Sequence, residues 1–265
     1  MPSPSTGASL RARLAEPRIA IGHFVFEFAT PGIGYLARNA GADFLVLDLE
    51  HSGFTFERAK DVVLAGRAAG IFVVVRVPSH DAKDLSRACD IGADGVMAPL
   101  VHSAAEARAI VDAVKYPPKG RRGVGMVQMH DRYRVGPLAD KARAANDGLA
   151  VFLQIESKEG VADSDAIAAT PGVDCLWVGH MDLSCSLGSP GRFDTPAFAA
   201  AIASVIAATR RAGIRAGRLA PSADECAALA AAGYDCLALG TDTQVFQGAL
   251  GRGIADLRAR LESPT

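Results

Sequence analysis

The sequence predicts an α/β protein, a (β/α)8 barrel formed as a single domain over residues 1–265, and three observations carry that expectation. Eight short apolar runs rich in β-branched residues alternate with segments of helical spacing. A Gly-x-Asp tripeptide stands before four of the runs. Polar and charged residues gather where four runs end, at 48–51, 76–78, 154–156 and 179–182. Continuously apolar strands suit a parallel sheet covered on both faces, and polar groups at their C-terminal ends share one rim. That rim is where a β/α barrel keeps its chemistry.

The candidate strands are 19–26, 44–49, 72–77, 95–100, 150–155, 175–178, 214–219 and 236–239. Helical spacing lies between them, as at 105–114, which Ser103 is placed to cap. Gly41-Ala42-Asp43, Gly92-Ala93-Asp94, Gly172-Val173-Asp174 and Gly233-Tyr234-Asp235 each put a glycine where a helix ends and the chain turns into a strand. The unit is therefore helix, glycine turn, strand, and eight units close a barrel. An open doubly wound sheet would ordinarily carry a glycine-rich phosphate loop, and neither GxGxxG nor GxxxxGK[ST] occurs. Residues 116–146 form the longest interruption, a candidate functional loop or subunit contact. Residues 243–262 read as a long last helix, and residues 1–15 as a disordered segment or N-terminal extension.

Composition narrows the partners. With 49% hydrophobic residues a chain of 265 can bury a core without metal or disulfide staples. The formal net charge is −1, and no basic patch or amphipathic basic helix is evident, so neither nucleic acid nor a membrane surface is expected and a small molecule is. The five cysteines form no CxxC pair and are odd in number, which indicates neither a zinc cluster nor a disulfide framework. No secretory h-region and no apolar stretch of about 18 residues occur, so a cytoplasmic location is expected.

Glu156 and Asp182 follow separate strands, and two hard carboxylates meeting at one rim can hold Mg²⁺ or Mn²⁺ while leaving positions for water or substrate. They could equally be ion-paired rim residues, with Asp182 capping a helix. His51 at a strand end could serve as general acid or base, or could simply be a hydrogen-bonded structural residue. Asp90 could orient it or end a helix in solvent. Arg76 closes a very apolar run and is costly to bury without a carboxylate or anionic ligand; Asp48 or Glu50 could be that partner. His180 is either a metal or substrate contact or a packed rim residue. Met126, Met129 and His130 could line a pocket, although methionine at such spacing more often packs.

Together these segments resemble the HpcH/HpaI aldolase family of metal-dependent class II pyruvate aldolases. The matching landmarks are residues 44–51, Val75-Arg76-Val77-Pro78, Ala98-Pro99-Leu100-Val101 with residues 104–108, residues 116–123, Leu153-Gln154-Ile155-Glu156, and Gly172-Val173-Asp174 leading to Asp182-Leu183-Ser184. The resemblance implies a (β/α)8 barrel whose last helix is exchanged between subunits of a homo-oligomer, a hexamer built from two trimers. It implies Glu156 and Asp182 as ligands of a divalent cation (Mg²⁺, Mn²⁺ or Co²⁺), Arg76 on the pyruvate oxygens, His51 as acid/base and Asp90 as the residue that orients it. Gln154 falls in the substrate shell, and the amides of Met181 and Asp182 fall where the pyruvate carboxylate is held. The family usually has Gly-Pro and a small residue before the metal-binding aspartate, whereas His180-Met181 follows Gly179 here. That departure bears on the aldehyde acceptor.

The expected reaction is reversible cleavage of a 4-hydroxy-2-oxo acid into pyruvate, or a related 2-oxo acid, and an aldehyde. No lysine ends the second, third, fifth or sixth run, so a Schiff base is not expected and Lys83, Lys115 and Lys158 should be dispensable for the chemistry. The alternatives are a CoA-thioester lyase of the citrate-lyase-β or malyl-CoA-lyase type, and a barrel that binds oxo acids without turnover.

Overall fold

The structure, a computed structural model, describes residues 9–262. Eight parallel strands, β1 (Ala20–Val25), β2 (Phe44–Asp48), β3 (Phe72–Arg76), β4 (Gly95–Ala98), β5 (Ala150–Ile155), β6 (Cys175–Val178), β7 (Arg215–Ala220) and β8 (Cys236–Thr241), pair in sequence order and close through β8 on β1. The predicted (β/α)8 barrel is the observed one, and each expected strand lies within two residues of its observed bounds. The helices are α1 (Leu10–Ala15), α2 (Ile33–Asn39), α3 (Phe56–Ala69), α4 (Ala82–Asp90), α5 (Ala104–Val114), α6 (Leu138–Gly148), α7 (Lys158–Ala162), α8 (Ser164–Ala168), α9 (His180–Ser186), α10 (Pro196–Ala212), α11 (Ala223–Ala232) and α12 (Asp242–Glu262).

The four Gly-x-Asp tripeptides do more than turn the chain. Gly41, Gly92, Gly172 and Gly233 have φ of 97°, 89°, 103° and 109°, in the left-handed region that glycine alone enters without strain. Each aspartate then clamps the preceding strand at its start. The N–H groups of Asp43, Asp94, Asp174 and Asp235 donate to the carbonyls of Ile21, Val73, Val151 and Ala216. Their carboxylates accept the N–H of those same four residues, each at 2.9 Å. Strand pairs β1–β2, β3–β4, β5–β6 and β7–β8 are thus registered at the N-terminal rim by one repeated device.

Side chains alternate across the sheet. Phe44, Val46, Val74, Met97, Phe152, Trp177 and Ala238 fill the barrel interior, while Leu45, Leu47, Val73, Val75, Val151 and Leu176 pack outward against helices. Leu10 and Leu14 of α1 belong to the interior cluster and plug its base. Of the two alternatives for residues 1–15, residues 10–15 are not disordered but form a helix ahead of β1, capped by Ser9 and held through Arg13 to Asp43; residues 1–8 lie outside the described ones. The long 116–146 segment contains a 3₁₀ turn (Met129–Asp131) and α6, and Asn146 clasps both backbone polar groups of Tyr116. Lys115 is buried there, donating to the carbonyls of Asn146 and Leu149. Its role is therefore structural.

One part of the wall lacks its cover. The outward-facing Ile21 of β1 and Leu239 of β8 are 47% and 38% exposed, whereas the outward residues of β2 to β6 are buried. The last helix, expected over 243–262, is observed one residue longer as α12, and from residue 249 onward it is exposed throughout.

Candidate active site

Three strands end their interior-facing rows in polar residues. On β2 the row is Phe44, Val46, Asp48; on β3 it is Phe72, Val74, Arg76; on β5 it is Ala150, Phe152, Gln154. The period of two that builds the apolar interior therefore delivers Asp48, Arg76 and Gln154 as its top layer. Asp48 and Arg76 are register partners. Arg76 Nε donates to Asp48 Oδ1 at 2.7 Å, Nη1 stands 3.1 Å from Glu50 Oε2, and Nη1 reaches Gln154 Oε1 at 3.5 Å. Phe24 and Phe26 flank the guanidinium at 5.5 and 5.6 Å.

From Gln154 the network continues to the expected ligand, because the Gln154 amide donates to Glu156 Oε1. Glu156 is 3% exposed, and burial, reinforced by Glu50 and Asp182, pushes its carboxyl up to about 8 against the opposing pull of Arg76 and the Leu100 amide. Glu50 is raised as well, first by burial, and its Oε2 is buried with no aligned hydrogen bond despite the nearby guanidinium. Asp182 lies in the first turn of α9 after β6, close enough to act on both glutamates. One arginine thus faces four carboxylates, those of Asp48, Glu50, Glu156 and Asp182. This excess of negative charge and the orphaned Glu50 oxygen fit a site completed by a cation. Among the described residues no three of His, Cys, Asp and Glu form a ready-made cage.

His51 stands at the mouth of this cluster. Its N–H donates to Asp48 Oδ2 at 3.1 Å, and its Nε2 lies 3.6 Å from Glu50 Oε2, with the side chain 59% exposed. The amides of Met181 and Asp182 open α9, where no helical carbonyl precedes them; the Met181 side chain itself points to solvent, 57% exposed. Asp90 is not brought to this group within the chain. It is the last residue of α4, which runs from the C-terminal rim back towards the other end of the barrel, and there it pairs with Arg122. His180 takes the packed alternative. Its ring meets Phe193 edge-on at 5.2 Å, and burial and then Arg218 push it down to about 4. Met129 is buried near α4, Met126 is partly buried, and His130 contacts Tyr116, all in the 116–146 segment and away from the cluster.

Asp48 and Glu50, which the sequence offered as alternative partners of Arg76, both set its guanidinium. The roles of three further residues were not read from the sequence. Leu100 has φ 51°, an unusual value for a branched side chain, and its amide acts on Glu156. Gly179 is required by contact: a Cβ there would lie 2.6 Å from Glu156 Cγ. Asp242 accepts the N–H groups of Phe26, Glu27 and Phe28 at 3.0, 2.9 and 2.7 Å, fixing the loop after β1 on the same rim.

A closed parallel barrel whose C-terminal rim gathers an arginine, a glutamine and four carboxylates has the build of a β/α-barrel enzyme. Within that class, the chain belongs to the HpcH/HpaI aldolase/citrate lyase family, whose model matches residues 29–249. It is 36% identical over 222 residues to a hydroxypyruvate/pyruvate aldolase of Chromohalobacter salexigens, covering 84% of this chain and 87% of that one. It is 40% identical over 185 residues to a 4-hydroxy-4-methyl-2-oxoglutarate aldolase of Hapsidospora irregularis, covering 69% and 68%. The crystal structure of an HpcH/HpaI aldolase from Desulfitobacterium hafniense superposes with a TM-score of 0.90 at 30% identity, covering 97% of this chain and 98% of that one.

Proposed function

We propose that this chain is a carbon–carbon lyase, a class II aldolase that reversibly cleaves a 4-hydroxy-2-oxo acid into pyruvate, or a related 2-oxo acid, and an aldehyde. The observation that carries the reading is the Arg76 guanidinium fixed between Asp48 and Glu50 and linked through Gln154 to Glu156. Aldolases of this family typically depend on a divalent metal. Glu156 and Asp182 would hold the cation (Mg²⁺, Mn²⁺ or Co²⁺), which when bound supplies Lewis acidity towards the 2-oxo group.

The chain's own residues do the rest. The amides of Met181 and Asp182 hold the substrate carboxylate, and Arg76 donates to the 2-oxo oxygen as negative charge develops on it. His51 takes the proton of the 4-hydroxyl. The C3–C4 bond then breaks, its electron pair moves into the 2-oxo group as an enolate, and the aldehyde departs. A proton returned to C3 completes pyruvate, and synthesis runs the same steps in reverse. Asp48 prevents Arg76 from rotating away, and Glu50 Oε2 stands 3.6 Å from His51 Nε2.

The working unit is a homo-oligomer, a trimer or hexamer, in which α12 is exchanged between subunits. Leu250, Ile254, Leu257 and Leu261 are 51%, 42%, 56% and 76% exposed at spacings of four, three and four, forming one apolar stripe on α12. The uncovered Ile21 and Leu239 supply a complementary apolar wall. The cytoplasm is the proposed location; among the described residues no helix is long and apolar enough to cross a membrane, and all five cysteines are free.

The test is pyruvate release from a panel of 4-hydroxy-2-oxo acids by metal-stripped protein, with each cation restored in turn and a Glu156→Ala variant alongside. Turnover that needs the cation and is absent in the variant supports the reading. Turnover that survives chelation and the variant, or borohydride trapping of pyruvate on a lysine, would overturn it.

A further inference from the structure

A second candidate site lies outside the barrel, between α10 and α11. Gly217 faces the interior, where a Cβ would strike the Trp177 ring at 2.2 Å, so its neighbour Arg218 must point outward into the helical layer. The outward residues of β2 to β6 are all apolar, yet this arginine is 6% exposed. Its compensation is poor. Glu225 approaches Nη2 only to 3.7 Å and is itself 40% exposed. Arg218 Nε is buried without an aligned hydrogen-bond partner among the described residues, and the neighbouring Tyr234 hydroxyl has no aligned partner either, with the Arg218 guanidinium as the polar group that acts on it. Phe193 and Phe198 flank the guanidinium at 5.8 Å each.

Arg218 and Tyr234 both line a cavity of about 460 Å³. The remaining wall is apolar, with Phe198, Ile202, Ile206 and Leu229 prominent, and the alanines Ala199, Ala203 and Ala207 of α10 leave the space open. Its volume is that of a small-molecule pocket. A buried guanidinium without a full counter-charge is costly, and a carboxylate entering the cavity would supply the counter-charge that Glu225 gives only in part.

We infer that the cavity between α10 and α11 is a binding site for a small monocarboxylate with an apolar body, its carboxylate taken by Arg218 and the Tyr234 hydroxyl and its body by the Phe198, Ile202 and Leu229 wall. The site stands independently of the aldolase reading, since none of these residues belongs to the Arg76 cluster. It is nonetheless connected to it. Phe193, which flanks Arg218, also carries the His180 ring at the head of α9, two residues before Asp182, so occupancy can be felt at the rim.

The experiment titrates the intact oligomer with sodium benzoate and sodium hexanoate, following ligand-observed NMR and thermal unfolding, with benzamide and hexanamide as neutral counterparts. An Arg76→Met background takes away the guanidinium of the rim, and a response unchanged in it belongs to the outer cavity. At least one acid should saturate with a Kd of about 0.1–10 mM, and the amides should bind at least about tenfold more weakly. Arg218→Met should abolish the response while leaving the melting temperature of the free protein unchanged or raised, because it removes a poorly paired buried charge. Tyr234→Phe should weaken binding about three- to tenfold. Absence of saturation by either acid, equal binding of acids and amides, or binding that persists in Arg218→Met would each overturn the site.

Discussion

Arg76 Nε donates to Asp48 Oδ1 at 2.7 Å, and the two residues are register partners at the ends of neighbouring strands, with side chains 9% and 0% exposed. A guanidinium held in that way presents its remaining donors in one fixed direction, at no cost in side-chain ordering when substrate arrives. Arg76→Met should lower kcat/KM by at least about 10²-fold, the scale for loss of one donor to a developing oxyanion. The same change leaves Asp48 as an unpaired buried carboxylate and should destabilise the fold by about 3–5 kcal/mol. Measuring kinetics below the variant's own unfolding transition separates the two effects; near-wild-type kcat/KM would exclude Arg76 from the chemistry.

Gly179 and Glu156 are in contact through a space that only a glycine leaves. In Gly179→Ala the new Cβ would fall 2.6 Å from Cγ and 2.7 Å from Cδ of Glu156, so the carboxylate must move. The backbone has φ −84°, which alanine accepts, and folding should survive. The expected result is a divalent-cation affinity at least about tenfold weaker, read by calorimetry, with near-wild-type circular dichroism. Unchanged affinity would remove Glu156 from the metal site.

Glu156 also sets a pH dependence. Burial and the neighbouring Glu50 and Asp182 push its carboxyl up to about 8 in the metal-free protein, and a cation takes the ionised form. Protons and metal therefore compete. Below pH 8 the apparent affinity for Mg²⁺ should fall, approaching about tenfold per pH unit if one proton is displaced. Calorimetry in two buffers of different ionisation enthalpy counts that proton, and a pH-independent affinity between 6 and 8 would contradict the assignment.

Much of this rim was legible from the sequence, and what escaped has physical causes. The strands of continuous apolar residues, the final polar positions Arg76 and Gln154, and Glu156 just past them follow from local pattern alone. Asp90 did not follow, because its place depends on the direction of α4, which carries its last residue to the far end of the barrel and to Arg122. The four Gly-x-Asp tripeptides were readable as turns, but the clamp formed by their carboxylates requires knowing which residue of the preceding strand lies opposite. The strained Leu100 and the packed His180 are set by tertiary contacts that spacing does not encode.

The clamps make a stability prediction. At Asp43 burial is the largest single effect and favours protonation, but the hydrogen bonds from Arg13 and the Ile21 amide and the charges of Arg13 and Arg18 together outweigh it and the carboxyl is lowered; Asp94 has no arginine hydrogen bond, and burial raises it to about 6. Its folded value lies above the ordinary 3.8, so the folded state keeps the proton longer than the unfolded one. This group's contribution is full below pH 3.8 and is lost as pH rises towards about 6. Asp94 keeps some surface exposure, so the loss lies below the roughly 3 kcal/mol that two pKa units represent. Asp94→Asn preserves the acceptor for Val73 and should flatten the stability profile between pH 4 and 6; an unaltered slope in urea titrations would refute the shift.

The proposed exchange of α12 is testable through its apolar stripe. If α12 covers the wall formed by Ile21 and Leu239 on another copy, a charge on either surface should break the assembly. Leu250→Asp and Ile21→Asp alter opposite sides of the proposed contact and are 51% and 47% exposed in the isolated chain. In a monomer, neither substitution would shift stability by more than about 0.5 kcal/mol. In the exchanged assembly each should lower the solution mass by light scattering and the melting temperature together, since neither stripe nor wall is then shielded from water. Wild-type mass for both variants would leave α12 outside the interface and require another partner for its stripe.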